Sequence, residues 1–150
     1  MGKENIMARF YKATDKDLDE LFEFGKKFWR EFRHIDIPTI DEDKLFKTLD
    51  VFCQKGVILC ARDEQKDQII ASLGLVKQHY WWSNETVYNV YWLYVLPEYR
   101  NYKTVKNLID MVKQIAKDDP IYFQISSEKD YDDLFTKFGF KEVGKNWRYN

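Results

Sequence analysis

Only two cysteines, two histidines, three prolines and six glycines occur among the 150 residues. Cys53 and Cys60 each stand in an apolar neighbourhood, so they read as buried thiols of a reducing compartment rather than a disulfide or a metal pair. His34 and His79 have no Cys or carboxylate partners at ligand spacing, which argues against a metal site. Basic excess is missing too: 24 Lys and Arg face 25 Asp and Glu, for a net charge of −1. That balance argues against a protein whose main work is neutralising nucleic-acid phosphates. No apolar run approaches the ~18 residues of a transmembrane helix. The opening MGKENIMARFYKA lacks the apolar block of a secretory signal, and Ile6 stands where a myristoylated Gly2 would need Ser or Thr. The expectation is a soluble, cytoplasmic chain without a membrane partner. Repeats, low-complexity tracts and long linkers are also lacking, so residues 1–150 read as one domain.

What is present is apolar and aromatic. Hydrophobic residues make up 45 % and aromatics 17 %, too much for a disordered chain. Residues 8–13 read as a first strand. Thr14, with Asp17 three residues on, opens a helix whose Leu18, Leu21, Phe22, Gly25, Phe28, Trp29 and Phe32 recur at helical spacing. Thr39 and Glu42 form a capping box for a second helix that carries Leu45, Phe46, Leu49 and Phe52 and ends before Gly56. Residues 57–62 and 68–79 then read as strands around a charged turn. Residues 86–96 (TVYNVYWLYVL) are apolar on both faces, as in a central strand covered on both sides, and Pro97 ends them.

Residues 102–118 predict a third helix, 121–125 a buried strand and 130–138 a fourth helix, with Gly139 suited to the left-handed position behind it. Residues 140–143 and 145–149 read as two closing strands. The order β-α-α-β-β-β-α-β-α-β-β predicts an α/β (α+β) fold. Its central sheet is mixed and mostly antiparallel, with helices on both faces and one parallel strand–helix–strand crossover.

Three local strings carry a family resemblance. YVLPEYRNYKTVKNLI, residues 94–109, is similar to the segment of the GNAT superfamily of acyl-CoA N-acyltransferases in which a strand ends at Val-x-Pro-Glu-x-Arg and enters a pyrophosphate loop and helix. LFTKFGFKEVG, residues 134–144, resembles the family's Leu-Tyr-x-Lys-x-Gly-Phe ending, and ARFYKATDKDLDEL resembles its first strand and helix. Independently of any family, a turn feeding a helix N-terminus presents unpaired N–H groups and a positive dipole end, which suits a pyrophosphate.

The resemblance implies a cofactor loop of Arg100, Asn101, Tyr102, Lys103, Thr104 and Val105. In it Lys103 and Val105 replace the two small residues of the family pattern. It also implies backbone N–H groups near Leu93 and Val95 that polarise an acetyl-CoA thioester under attack by an amine. The acceptor would be a small molecule or a protein, and a homodimer is left open. The family's acid tyrosine is replaced by Phe135. Tyr131, one turn earlier, is the first substitute and Tyr94 the second, against a packing role for Tyr131. Glu85 is a candidate base against an exposed turn carboxylate; His79 and Asp130 are weaker ones.

The rival to an N-acetyltransferase is a non-catalytic binding protein of the same fold with a degenerate pocket, supported by Lys103, Val105 and Phe135. Exposed Trp81 or Trp82 could line a groove or stack single-stranded nucleic acid, but no basic groove accompanies them.

Overall fold

The computed structural model describes residues 7–32, 39–124, 131–145 and 147–149. Strand β1 (Ala8–Lys12) leads through a short 3-10 turn (Asp15–Asp17) into α1 (Leu18–Phe32), followed by α2 (Glu42–Lys55). Strands β2 (Val57–Asp63), β3 (Gln68–His79) and β4 (Thr86–Val95) come next. A 3-10 turn (Pro97–Tyr99), α3 (Tyr102–Ala116), β5 (Ile121–Phe123) and the short α4 (Asp132–Lys137) complete the order. The five strands form one sheet in the order β1-β2-β3-β4-β5, antiparallel except for the parallel pair β4–β5.

Local chemistry explains the starts of the helices. The Thr14 N–H donates to Asp17 at 2.9 Å, as the spacing predicts. The second helix differs: its cap is Asp41, whose carboxylate accepts the Lys44 N–H at 3.0 Å, and not Thr39. A carboxylate next to the first turn both satisfies an orphan N–H and meets the positive end of the dipole, so it prevails over a hydroxyl two residues earlier.

Side chains alternate across the sheet. The rings of Phe24 and Phe28 on α1 lie 5.4 and 5.0 Å from Tyr94, and Phe52 on α2 lies 4.7 Å from Trp92, so α1 and α2 cover the face of these even-numbered residues. The opposite face presents Leu59, Ala61 and Leu73, all fully buried, and α3 packs against β2, β3 and β4 with Leu108 and Val112. By position β3 is the middle strand, with seven consecutive buried residues from Ile69 to Leu75. β4 lies one place nearer the edge and exposes Tyr91, so the expectation of two covered faces fails there.

Gly74 has a steric reason. A Cβ there would enter the Trp92 ring, which is held by its Nε1–H bond to Ser72 (3.0 Å) and by Phe52. The ladder shifts register beside it, so that β4 carries one extra residue, Tyr91, as a bulge.

Polar staples lock the two layers. Arg62 reaches Glu20 (2.6 Å), Asp67 (3.2 Å) and the Tyr11 hydroxyl (3.2 Å), tying α1 to the sheet. The buried Tyr99 donates to Asp63 at 2.7 Å and holds that carboxyl below the usual range. The turn after β4 is thereby anchored to the β2–β3 turn, which Asp63 itself closes by accepting the Gln65 N–H.

The two expected closing strands do not form among the described residues. Phe140 packs on Phe123 and Phe135, but Val143 is 69 % exposed, Trp147 90 % and Tyr149 91 %. Val143, Trp147 and Tyr149 thus stay in solvent, and β5 offers only three residues as a template. Gly139 does occupy the left-handed region, at φ 88°, directly behind the last helix.

Candidate active site

β4 has two halves with different neighbours. Tyr88, Asn89 and Val90 pair with Ile121, Tyr122 and Phe123 of β5, whereas Trp92 to Val95, beyond the Tyr91 bulge, pair among the described residues with β3 alone. The Leu96 N–H donates to Ile70 O at 2.9 Å on the β3 side. Alternation along an extended strand then turns the N–H groups of Leu93 and Val95 to the other edge, past the last described β5 partner, Phe123. The result is a wedge lined on one side by main-chain donors.

The end of β4 enters α3 beside this wedge. Asn101 caps α3: its side-chain oxygen accepts the Thr104 N–H at 2.9 Å while its amide donates to Tyr99 O at 3.1 Å. The N–H groups of Tyr102 and Lys103 are in the first turn, where no intrahelical carbonyl can reach them. Of the two residues at small-residue positions, Lys103 is exposed and Val105 packs against the core. Thr104 is buried, and Tyr102 stacks on Phe138 at 5.4 Å.

Arg100 is already engaged. Its Nε–H donates to Val95 O at 2.9 Å and its Nη2 donates to both oxygens of Glu31, at 2.8 and 2.5 Å. Tyr94 lies beneath, its hydroxyl donating to the same carboxylate at 3.3 Å. Burial, with the negative charge of Glu31 second, pushes the Tyr94 hydroxyl up to about 12. Glu31 was not among the residues singled out in the sequence. Its signal was there: it falls on the stripe of Phe24 and Phe28, and a carboxylate on an apolar stripe needs a partner.

The other candidates separate. α4 stands beside the opening, since the Phe135 ring lies 5.0 Å from Phe123, the last β5 residue to pair with β4. Tyr131 directly precedes α4 and is half-buried, its carbonyl accepting the Phe135 N–H at 3.0 Å. It lines an open groove along β5 together with Tyr122, Phe123 and Trp82. Glu85 lies at the far end of β4, roughly 20 Å or more from Leu93 at the rise of an extended strand. It is exposed in a turn that Ser83 closes by accepting its N–H at 3.1 Å. The structure therefore does not bring Glu85 to the wedge. His79 is exposed at the same end, and His34 and Asp130 lie outside the described residues. Trp81 and Trp82 are exposed at this hairpin, with Tyr80 stacked on Trp82 at 4.7 Å. Among the described residues no His, Cys, Asp and Glu cluster could hold a metal ion, and no helix is long and apolar enough to cross a membrane.

Comparison with known proteins adds a family. Residues 49–150 match the family model described as acetyltransferase (GNAT) domain. No curated protein matches the chain. Among solved structures it is similar to a predicted acetyltransferase with acetyl-CoA from Clostridium acetobutylicum. That match has 19 % identity and a TM-score of 0.76, and covers 96 % of each chain. A Trypanosoma brucei acetyltransferase is 20 % identical with a TM-score of 0.71, covering 96 % of this chain and 99 % of its own. An aminoglycoside acetyltransferase from an uncultured soil metagenomic sample, in complex with sisomicin, is 16 % identical with a TM-score of 0.71 and 95 % coverage of each chain. At these identities the likeness is one of fold.

Proposed function

The chain belongs to the GNAT acetyltransferase family, and on that premise we propose that it transfers an acetyl group from acetyl-CoA to an amine by direct attack in a ternary complex. The observation that carries this reading is that β5 pairs with β4 no further than Val90 among the described residues, with the Leu93 and Val95 N–H groups turned to that edge beside the start of α3.

The diphosphate of the donor would lie at the first turn of α3, on the N–H groups of Tyr102 and Lys103, with the Lys103 side chain free to add a positive charge. The cofactor segment then runs from Arg100 through Asn101, Tyr102, Lys103 and Thr104 to Val105. Its thioester would lie along the wedge, where the carbonyl oxygen meets the Leu93 and Val95 donors. A neutral amine attacks the carbonyl carbon, negative charge gathers on that oxygen, and the C–S bond breaks to release CoA thiolate. Fixed donors aimed at that charge supply the main electrostatic contribution, and holding both substrates in one groove supplies much of the rest.

The thiolate needs a proton. Tyr131, half-buried at the head of α4, is the assigned donor, with Tyr94 second. The raised Tyr94 hydroxyl keeps its proton at neutral pH, but its ring faces α1 and its hydroxyl faces Glu31. The acceptor is an amine, on a small molecule or a protein.

A second reading has its own observation. Phe135 carries no hydroxyl, and the Asn101 cap already fills one N–H of the α3 turn, as suits a binding protein whose pocket no longer works on acyl-CoA. Calorimetric titration with CoA and acetyl-CoA separates the two, followed by release of free thiol over a panel of amines. Dissociation constants on the order of micromolar and thiol release with at least one amine support acetyl transfer. A folded sample that gives no heat supports the binding protein. Tyr131→Phe is expected to lower turnover by about a hundredfold, the usual worth of a general acid, and an unchanged rate removes Tyr131 from the chemistry.

A further inference from the structure

Arg100 opens the loop into α3, where a phosphate-gripping side chain would be sought, yet its guanidinium is spent elsewhere. Nε–H holds Val95 O at 2.9 Å, and Nη2 holds both Glu31 oxygens. The guanidinium carbon lies 5.4 Å from the centre of the Tyr94 ring. With side-chain exposures of 38 % and 29 %, the Arg100–Glu31 pair is half shielded, and so is screened less by water than a surface pair.

We propose that Arg100 is a positioning residue: braced by Glu31, it holds the Val95 carbonyl and so sets the Leu93 and Val95 N–H groups against the thioester, instead of gripping the diphosphate. This rests on the acetyl-transfer reading of the same site. Peptide units are planar, so fixing Val95 O fixes the unit that follows Val95. On the other side, Tyr94 is clasped by Phe24, Phe28 and Phe32 and bonded to Glu31. The Val95 N–H lies between these two fixed points and has little freedom left. The Val95 carbonyl, trans to the Leu96 N–H that β3 holds, points to the wedge edge, and the Arg100 Nε–H occupies a lone pair that would otherwise oppose the negative charge forming there. Glu31 supplies the counter-charge that keeps the guanidinium from swinging to a phosphate.

The test uses the full chain and isotope-labelled acetyl-CoA, and needs no acceptor. Two quantities are measured for the unaltered protein and for Arg100→Gln, Arg100→Lys and Glu31→Gln. One is the dissociation constant of CoA, and the other is the infrared stretch of the bound thioester carbonyl, which falls as donors polarise it. Expected for Arg100→Gln is a dissociation constant within about twofold of the original and a stretch moved back toward its value in water. Glu31→Gln shifts the stretch the same way. Arg100→Lys, which keeps the charge without the fork, guards against a glutamine variant that fails to fold and is expected to lose the polarisation too. A CoA dissociation constant raised about tenfold or more with the stretch unchanged would overturn the inference and return Arg100 to the diphosphate. Absence of CoA binding by the unaltered protein overturns the acetyl-transfer reading itself, and the inference with it.

Discussion

The two sides of the sheet are built to opposite rules. Across β2 and β3 both faces are covered; Ile58, Cys60, Ile70 and Ala71 have no exposure at all. From β4 to β5 pairing covers three residues among those described, and the chain beyond α4 exposes Val143, Trp147 and Tyr149. Where a strand is paired on both edges, as β2 and β3 are, few main-chain donors are left to bind a ligand. Where pairing stops early, donors remain, and their position is held by the closed side next to them. Stability and chemistry are thus divided within a single sheet.

Changes on the two sides should then differ in kind. The largest loss is expected at the centre of the closed side. Gly74→Ala forces a methyl into the Trp92 ring, which Ser72 and Phe52 keep from moving aside, and should cost about 3 kcal/mol in denaturant unfolding. A midpoint unchanged from the parent would mean that Trp92 can swing clear and that the closed side is less rigid than described.

At the seam, Tyr94→Phe removes one hydrogen bond to Glu31 and should cost about 1 kcal/mol at neutral pH. It also sharpens the comparison through pH. The unfolded tyrosine loses its proton near 10 and the folded one near 12, so across that window the unfolded state binds fewer protons. The Tyr94 contribution is therefore full below pH 10 and is lost as pH rises toward 12. Alkaline unfolding curves of the parent should fall more steeply there than those of Tyr94→Phe; parallel curves would detach Tyr94 from the effect. Smallest of all, Trp147→Ala should change the unfolding free energy by less than about 0.5 kcal/mol, because its side chain covers no core. A loss of 2 kcal/mol or so would show that the far end of the chain is packed after all.

Most of the closed side was legible in the residues. The apolar run behind the charged turn locates β3 from Gln68 to His79, and the apolar stripe with Pro120 behind it locates α3. Pro97 stops β4, and Gly139 turns positive as a residue without Cβ can. On the open side the parallel crossover was legible too, but the donors near Leu93 and Val95 only through resemblance. How far β5 follows β4 depends on contacts between residues 33 positions apart, which no local period encodes. The brace from Glu31 to Arg100 spans 69 positions and is equally invisible. The closing strands failed for the converse reason: apolar residues are present at Phe140, Val143, Trp147 and Tyr149, but burial is what makes a strand of them, and the last three stay exposed. Glu85 stands just before the start of β4, a strand length away from Leu93 and Val95.

Tyr99 fastened to Asp63, and Leu96 to Ile70, have a mechanical consequence. They clamp the outer end of β4 to the body of the sheet, so this jaw of the opening is stationary. Any widening needed to admit a bulky guest must come from the opposite jaw, β5 with α4. Entry and exit are then a one-sided movement, and the donors on the stationary jaw keep their aim throughout.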